Sequence, residues 1–128
     1  MNVLLDTATF LWIGAGSPRL SKAARAIVVD RSNRLFFSAV GAWEIHLKTS
    51  LGKLPLPTDA ASYIARTRAA REIDALEFTE ADAAHLSTLP FYHRDPFDRA
   101  LISQATARSL TILTPDPAFR EYSVTTIW

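Results

Sequence analysis

Two short unbroken apolar runs, Val3-Leu4-Leu5 and Leu35-Phe36-Phe37, and a third apolar segment, Leu110 to Leu113, alternate along the chain with stretches of helical spacing. A strand that is apolar at successive positions is buried on both faces, and such strands belong to parallel sheets covered by helices on either side. The expected helices cover residues 7–13, 22–30, 39–51, 59–71, a segment opening at Thr79, and 98–109; Gly52 closes the third of them. Residues 73–76 and 124–127 read as further strands, and residues 89–95 as a loop. At 128 residues the chain fits one domain spanning 1–128, of α/β class.

In open parallel sheets, ligands bind beyond the carboxyl ends of the strands. Residues just after strands therefore carry the most information about function. Asp6 follows the first strand directly, and Asp116 follows Leu113 by three positions, so both carboxylates should point into one crevice. Each also has a structural reading, because Asp6, Asp95 and Asp116 all stand where a helix N-cap is needed, and Asp95-Pro96-Phe97-Asp98 resembles a capping box with Pro at the first helical position.

Glu44 and Asp98 are less easily read as caps. On the helix over 39–51, Val40, Trp43, Leu47 and Leu51 form the expected core stripe, and Glu44 falls inside it. Asp98 shares a side with Leu101, Ile102 and Ala105 on the later helix. Burying an ionised carboxylate is costly unless a cation compensates it. The structural alternatives are an i,i+4 pair of Glu44 with Lys48, and stabilisation of Asp98 by the helix dipole. Taken together, four carboxylates at one edge suit magnesium or manganese, hard cations that prefer oxygen ligands.

Composition narrows the rest. Fourteen Lys and Arg against thirteen Asp and Glu leave a net charge of +1, so no global field draws the chain to nucleic acid or an anionic membrane. There is no Cys, hence no disulfide or thiolate site, and His46, His85 and His93 show no ligand spacing. The start does not read as a signal peptide, and no apolar run approaches the roughly twenty residues of a membrane span. The expectation is a soluble, cytoplasmic protein.

The chain also resembles a known family, the PIN domain, and within it the VapC-like toxin ribonucleases of toxin-antitoxin pairs. The matching segments are Leu4-Leu5-Asp6-Thr7; Ser38 with Ala42-Trp43-Glu44-Ile45; Ser50-Leu51-Gly52-Lys53-Leu54; His93 to Arg99 with Leu101-Ile102; and Leu113-Thr114-Pro115-Asp116 with Phe119. The resemblance runs over essentially the whole chain. It implies an α/β/α sandwich, a homodimer, magnesium- or manganese-dependent cleavage of RNA, and a small cognate antitoxin that covers the site. It maps the acidic quartet onto Asp6, Glu44, Asp98 and Asp116, with Asp95 as a capping or supporting group and the Thr7 and Thr114 hydroxyls orienting neighbouring carboxylates. Lys48, Arg94 and Arg99, near the acidic positions in sequence, are candidates for holding the RNA backbone. Two positions depart from the family pattern: Ala8, where relatives often carry His, and Pro115, where they often carry a basic residue.

Two other functions fit the general pattern. A phosphoacceptor receiver domain predicts an acidic pair after the first strand and a Lys after a late one, whereas Asp6 stands alone and the only Lys residues are Lys22, Lys48 and Lys53. A degenerate PIN-like interaction module predicts a damaged quartet, and all four carboxylates are present.

Overall fold

The apolar runs become the centre of a five-stranded, wholly parallel sheet. The computed structural model describes all residues, Met1–Trp128. Its strands are β1 (Asn2–Leu5), β2 (Arg34–Ser38), β3 (Asp74–Leu76), β4 (Thr111–Leu113) and β5 (Thr126–Ile127), in the order β3-β2-β1-β4-β5. The helices are α1 (Thr7–Ala15), α2 (Lys22–Val29), α3 (Ala39–Ser50), α4 (Ala60–Arg71), α5 (Glu80–Leu86) and α6 (Pro96–Arg108), with a 3-10 helix at Pro117–Glu121. None is long and apolar enough to cross a membrane.

The period-two geometry of a strand divides the core between two faces. Val3, Leu5 and Leu113 pack with Phe10, Ile13 and Ile64 on one side. Leu4 and Ile112 pack with Leu101, Ile102, Ala105 and Phe119 on the other. The result is the expected α/β/α sandwich. Because β1 pairs with both β2 and β4, successive crossovers leave β1 in opposite directions. The crevice between the carboxyl ends of β1 and β4 is thus the switch point at which ligands bind in such sheets.

The helix starts at this edge are capped by polar residues, at or just after a strand end for Asp6, Ser38 and Asp116 and in the preceding loop for Asp95. Asp6 caps α1, and its carboxylate accepts from the Thr9 amide at 2.8 Å. Ser38 caps α3, Asp95 caps α6 with Pro96 following, and Asp116 caps the 3-10 helix. The cap at Asp95 explains why α6 starts two residues before the expected Asp98, since Pro's fixed φ suits the first turn.

One expectation fails on α3. Trp43, Leu47 and Leu51 are 61%, 38% and 57% exposed, whereas the buried residues are Val40, Gly41, Glu44 and Ile45. The helix is rotated by about one residue from its most apolar stripe. Gly41 shows why: a Cβ there would lie 2.4 Å from the Phe37 ring, so only the bare backbone lets α3 settle onto β2. Phe37 in turn stacks on Phe10 at 3.8 Å between centroids. Close approach of backbone to ring, rather than maximal burial of apolar side chains, sets the orientation of α3.

Candidate metal centre

Asp6, Glu44, Asp98 and Asp116 line one cleft of about 470 Å³, together with Asp95, Thr7, Lys48 and Lys53. The two sequence departures, Ala8 and Pro115, line the same cleft. Five acidic side chains therefore face one space at the switch point.

Asp6 is buried and doubly held. One oxygen accepts from the Thr9 amide, and the Thr114 hydroxyl donates to the other at 2.5 Å. Burial pushes its pKa up, the hydrogen bonds from Thr114 and Thr9 oppose this, and the charge on Asp116 adds to the rise. The Thr9 hydroxyl donates to the Leu113 carbonyl at 2.9 Å, which ties the start of α1 to the end of β4. Thr114 also accepts the Asp116 backbone amide at 3.1 Å, so one hydroxyl links the Asp6 carboxylate to the backbone of Asp116.

Glu44 is buried in the second turn of α3. Thr7 donates to one of its oxygens at 2.7 Å, and Lys48 forms an ion pair with the other. The cation that its burial demands is thus Lys48, four residues on, as in the structural alternative raised by the spacing. That hydrogen bond is the main cause of a raised Lys48 pKa. Lys48 remains at the cleft wall, but engaged with Glu44.

Asp98 has no such cation. Burial, with the nearby charges of Asp95 and Glu44, raises its pKa to about 6, although the hydrogen bond with His93 works the other way. His93 Nε2 stands 2.8 Å from Asp98 Oδ2. Donor atoms of His93, Asp98 and Asp116 all lie within 4.8 Å of one another. Sequence reasoning missed His93, because ligand spacing was sought among histidines. The signal lay instead in its position five residues before Asp98, in the loop leading into α6. Asp95 uses one oxygen to accept from the Phe97 and Asp98 amides at 2.9 and 3.1 Å.

Arg99 does not stand where an RNA contact needs it. It is 4% exposed, and its guanidinium donates to the Pro90 carbonyl at 2.7 Å and the Tyr122 hydroxyl at 3.1 Å while lying 4.0 Å from the Phe91 ring. Its partners are all internal, so it pins the loop before α6. Arg94 is exposed and outside the cleft lining.

A parallel α/β/α sandwich with a carboxylate-lined cleft at its switch point is the class of protein that these features define. Over residues 3–124 the chain matches the PIN domain, and it belongs to that family. It is 49% identical over 51 residues to Ribonuclease VapC16 of Mycobacterium tuberculosis (strain ATCC 25618 / H37Rv), a match spanning 37% of this chain and 36% of that relative's length. Among solved structures it is similar to VapBC2 from Rickettsia felis bound to a promoter DNA fragment, with a TM-score of 0.75 at 13% identity over 99% of this chain and 98% of that one. VapBC-1 from nontypeable Haemophilus influenzae is similar with a TM-score of 0.68 at 16% identity, over 99% and 97% of the two chains. These structural likenesses bear on the fold.

Proposed function

We propose that this chain is a magnesium- or manganese-dependent endoribonuclease, a single domain over residues 1–128, and the toxin of a toxin-antitoxin pair. The observation that carries the reading is the convergence of Asp6, Glu44, Asp98 and Asp116 on one cleft, with Asp98 left without a strong cationic partner. Family membership and the partial likeness to a VapC ribonuclease support it. So does the fold shared with VapBC complexes, which favours a cognate antitoxin as partner.

The donor set fits a hard divalent ion, since the cleft offers carboxylate oxygens from four segments of the chain without thiols. A bound ion there would supply a water of lowered pKa and neutralise charge developing on the phosphate. The chain's own residues prepare the place. Thr114 and the Thr9 amide fix Asp6, while Asp116, which lines the cleft, uses one oxygen to accept from the Ala118 amide. Lys48 and Lys53 offer positive charge at the wall for a phosphodiester, and Arg94 offers more outside it. Glu44 completes the acidic ring and holds Lys48 in place. The exposed row Trp43, Leu47 and Leu51 supports self-association as a homodimer.

The test is direct. Purified chain, freed of any partner, should cleave single-stranded RNA with magnesium or manganese and stop in EDTA. Cleavage unchanged by EDTA would reject the metal-dependent reading.

A further inference from the structure

The metal reading leaves unexplained why an imidazole is held against Asp98, the one carboxylate of the cleft with a histidine partner. His93 Nε2 is 2.8 Å from Asp98 Oδ2, and a donor atom of each lies within 4.8 Å of an Asp116 oxygen. Ligands about 2.1 Å from an octahedral ion stand roughly 3 Å apart when adjacent and roughly 4 Å apart when opposite. The three donors, all within 4.8 Å of one another, are close enough that small side-chain adjustments would bring them onto one ion. They come from the loop before α6, the first turn of α6 and the segment after β4.

The position of His93 is also built. Its backbone amide donates to the Tyr122 hydroxyl at 3.0 Å, and that oxygen accepts the buried Arg99 guanidinium at 3.1 Å. Arg99 also holds the Pro90 carbonyl three residues before His93. A buried arginine, a tyrosine and a loop carbonyl are thus committed to fixing the backbone from which the imidazole reaches Asp98. The side chain itself is 24% exposed and stands behind the cleft wall, reaching it through its contact with Asp98, which lines the cleft.

Resting on the metal-dependent reading above, we propose that His93 is a nitrogen ligand of the metal centre, beside Asp98 and Asp116, and that it biases the centre toward manganese over magnesium. Among hard ions manganese tolerates an imidazole nitrogen better than magnesium, which favours oxygen donors and retained water. Binding replaces the contact between Nε2 and Asp98 by two bonds to one ion. Arg99 and Tyr122 act as positioning residues through the loop.

The experiment uses the full chain loaded with manganese alone, with natural-abundance and nitrogen-15 histidine, and reads nitrogen coupling to the ion by pulsed electron paramagnetic resonance. Coupling that changes with the isotope is expected, and it should vanish in His93→Gln, whose amide can still hydrogen-bond Asp98 but supplies no imidazole. His93→Gln should also weaken manganese binding on the order of tenfold to a hundredfold, with a smaller effect on magnesium, measured by calorimetry. Manganese that binds, depends on Asp116 and shows no nitrogen coupling would overturn the ligand role while leaving the metal reading intact. Coupling that persists in His93→Gln would overturn it as well, by assigning the nitrogen to another histidine. Failure to bind manganese in the cleft at all would overturn both.

Discussion

Asp82 and Asp98 stand at the same position of successive helices, the third residue of α5 and of α6, and the chain treats them in opposite ways. Asp82 is the more buried of the two, at 2% exposure. Its carboxylate accepts from the Thr79 amide at 2.9 Å and from Arg108 at 2.8 Å. Burial pushes its pKa up, but the Arg108 and Thr79 bonds outweigh this and leave it below the usual value. Asp98 is less buried, yet its burial, with no arginine to offset it and with the charges of Asp95 and Glu44 adding to it, moves its pKa up to about 6. Burial alone therefore does not mark a functional carboxylate. Burial among like charges marks a candidate, because either a proton or an arriving cation must resolve it.

The largest expected consequence is in activity. Asp98→Asn should cut RNA cleavage by more than about a hundredfold, beyond the usual loss for a group that merely supports a metal ligand. The same change at Asp82 should leave the rate per folded molecule within a few-fold of wild type. Equal losses in initial-rate assays on folded, metal-loaded proteins would erase the distinction between the two carboxylates.

Stability should show the reverse ranking. Asp82→Asn removes charge-assisted hydrogen bonds and should lower the unfolding free energy by about 1.5–3 kcal/mol in urea titrations, equally with and without metal. In EDTA, Asp98→Asn should be neutral or stabilising, since it removes a charge from a crowded cleft. A large metal-free destabilisation by Asp98→Asn would mean that Asp98 is held by native partners as firmly as Asp82.

The smallest effect is in the pH dependence of the metal-free protein. A carboxyl whose folded pKa is raised holds its proton longer in the native state, so its stabilising contribution is lost as pH climbs from the unfolded value of 3.8 toward about 6. Asp98→Asn should flatten that decline. Asp82 has the opposite sign: its contribution is present above 3.8 and is lost as pH falls through its lowered folded value. Asp82→Asn should weaken the acid-side loss. Urea midpoints measured from pH 3 to 7 in EDTA would separate the two slopes, and identical slopes in both variants would show that neither carboxylate controls this range.

Much of the fold was legible because its signals are local. Val3-Leu4-Leu5 and Leu35-Phe36-Phe37 are buried on both faces wherever they pair, and Ser38, Asp59, Thr79 and Asp95 cap the helices that follow them. The orientation of α3 was not legible, since its apolar spacing permits two neighbouring stripes and the choice rests on Gly41 meeting Phe37 across the sheet. Arg99 was equally opaque. A basic residue beside an acidic motif reads as a phosphate contact until Pro90 and Tyr122 are seen to take its donors.

The sequence by itself determined the parallel α/β class, the switch-point edge and the residue types gathered there, because strand burial, capping and position after a strand depend on near neighbours in the chain. Only the tertiary structure decided how each charge is balanced. The Glu44–Lys48 pair was open to the sequence as an i,i+4 spacing, but Asp82 meets Arg108 from a helix 26 residues on, and Asp98 meets His93 and Asp116 rather than a lysine or arginine. The electrostatic energy of a buried carboxylate depends on distances of a few ångströms to groups that folding brings together. The same residue at the same helix position can therefore become a structural ion pair in one place and a carboxylate without a lysine or arginine partner, facing the candidate metal cleft, in the other.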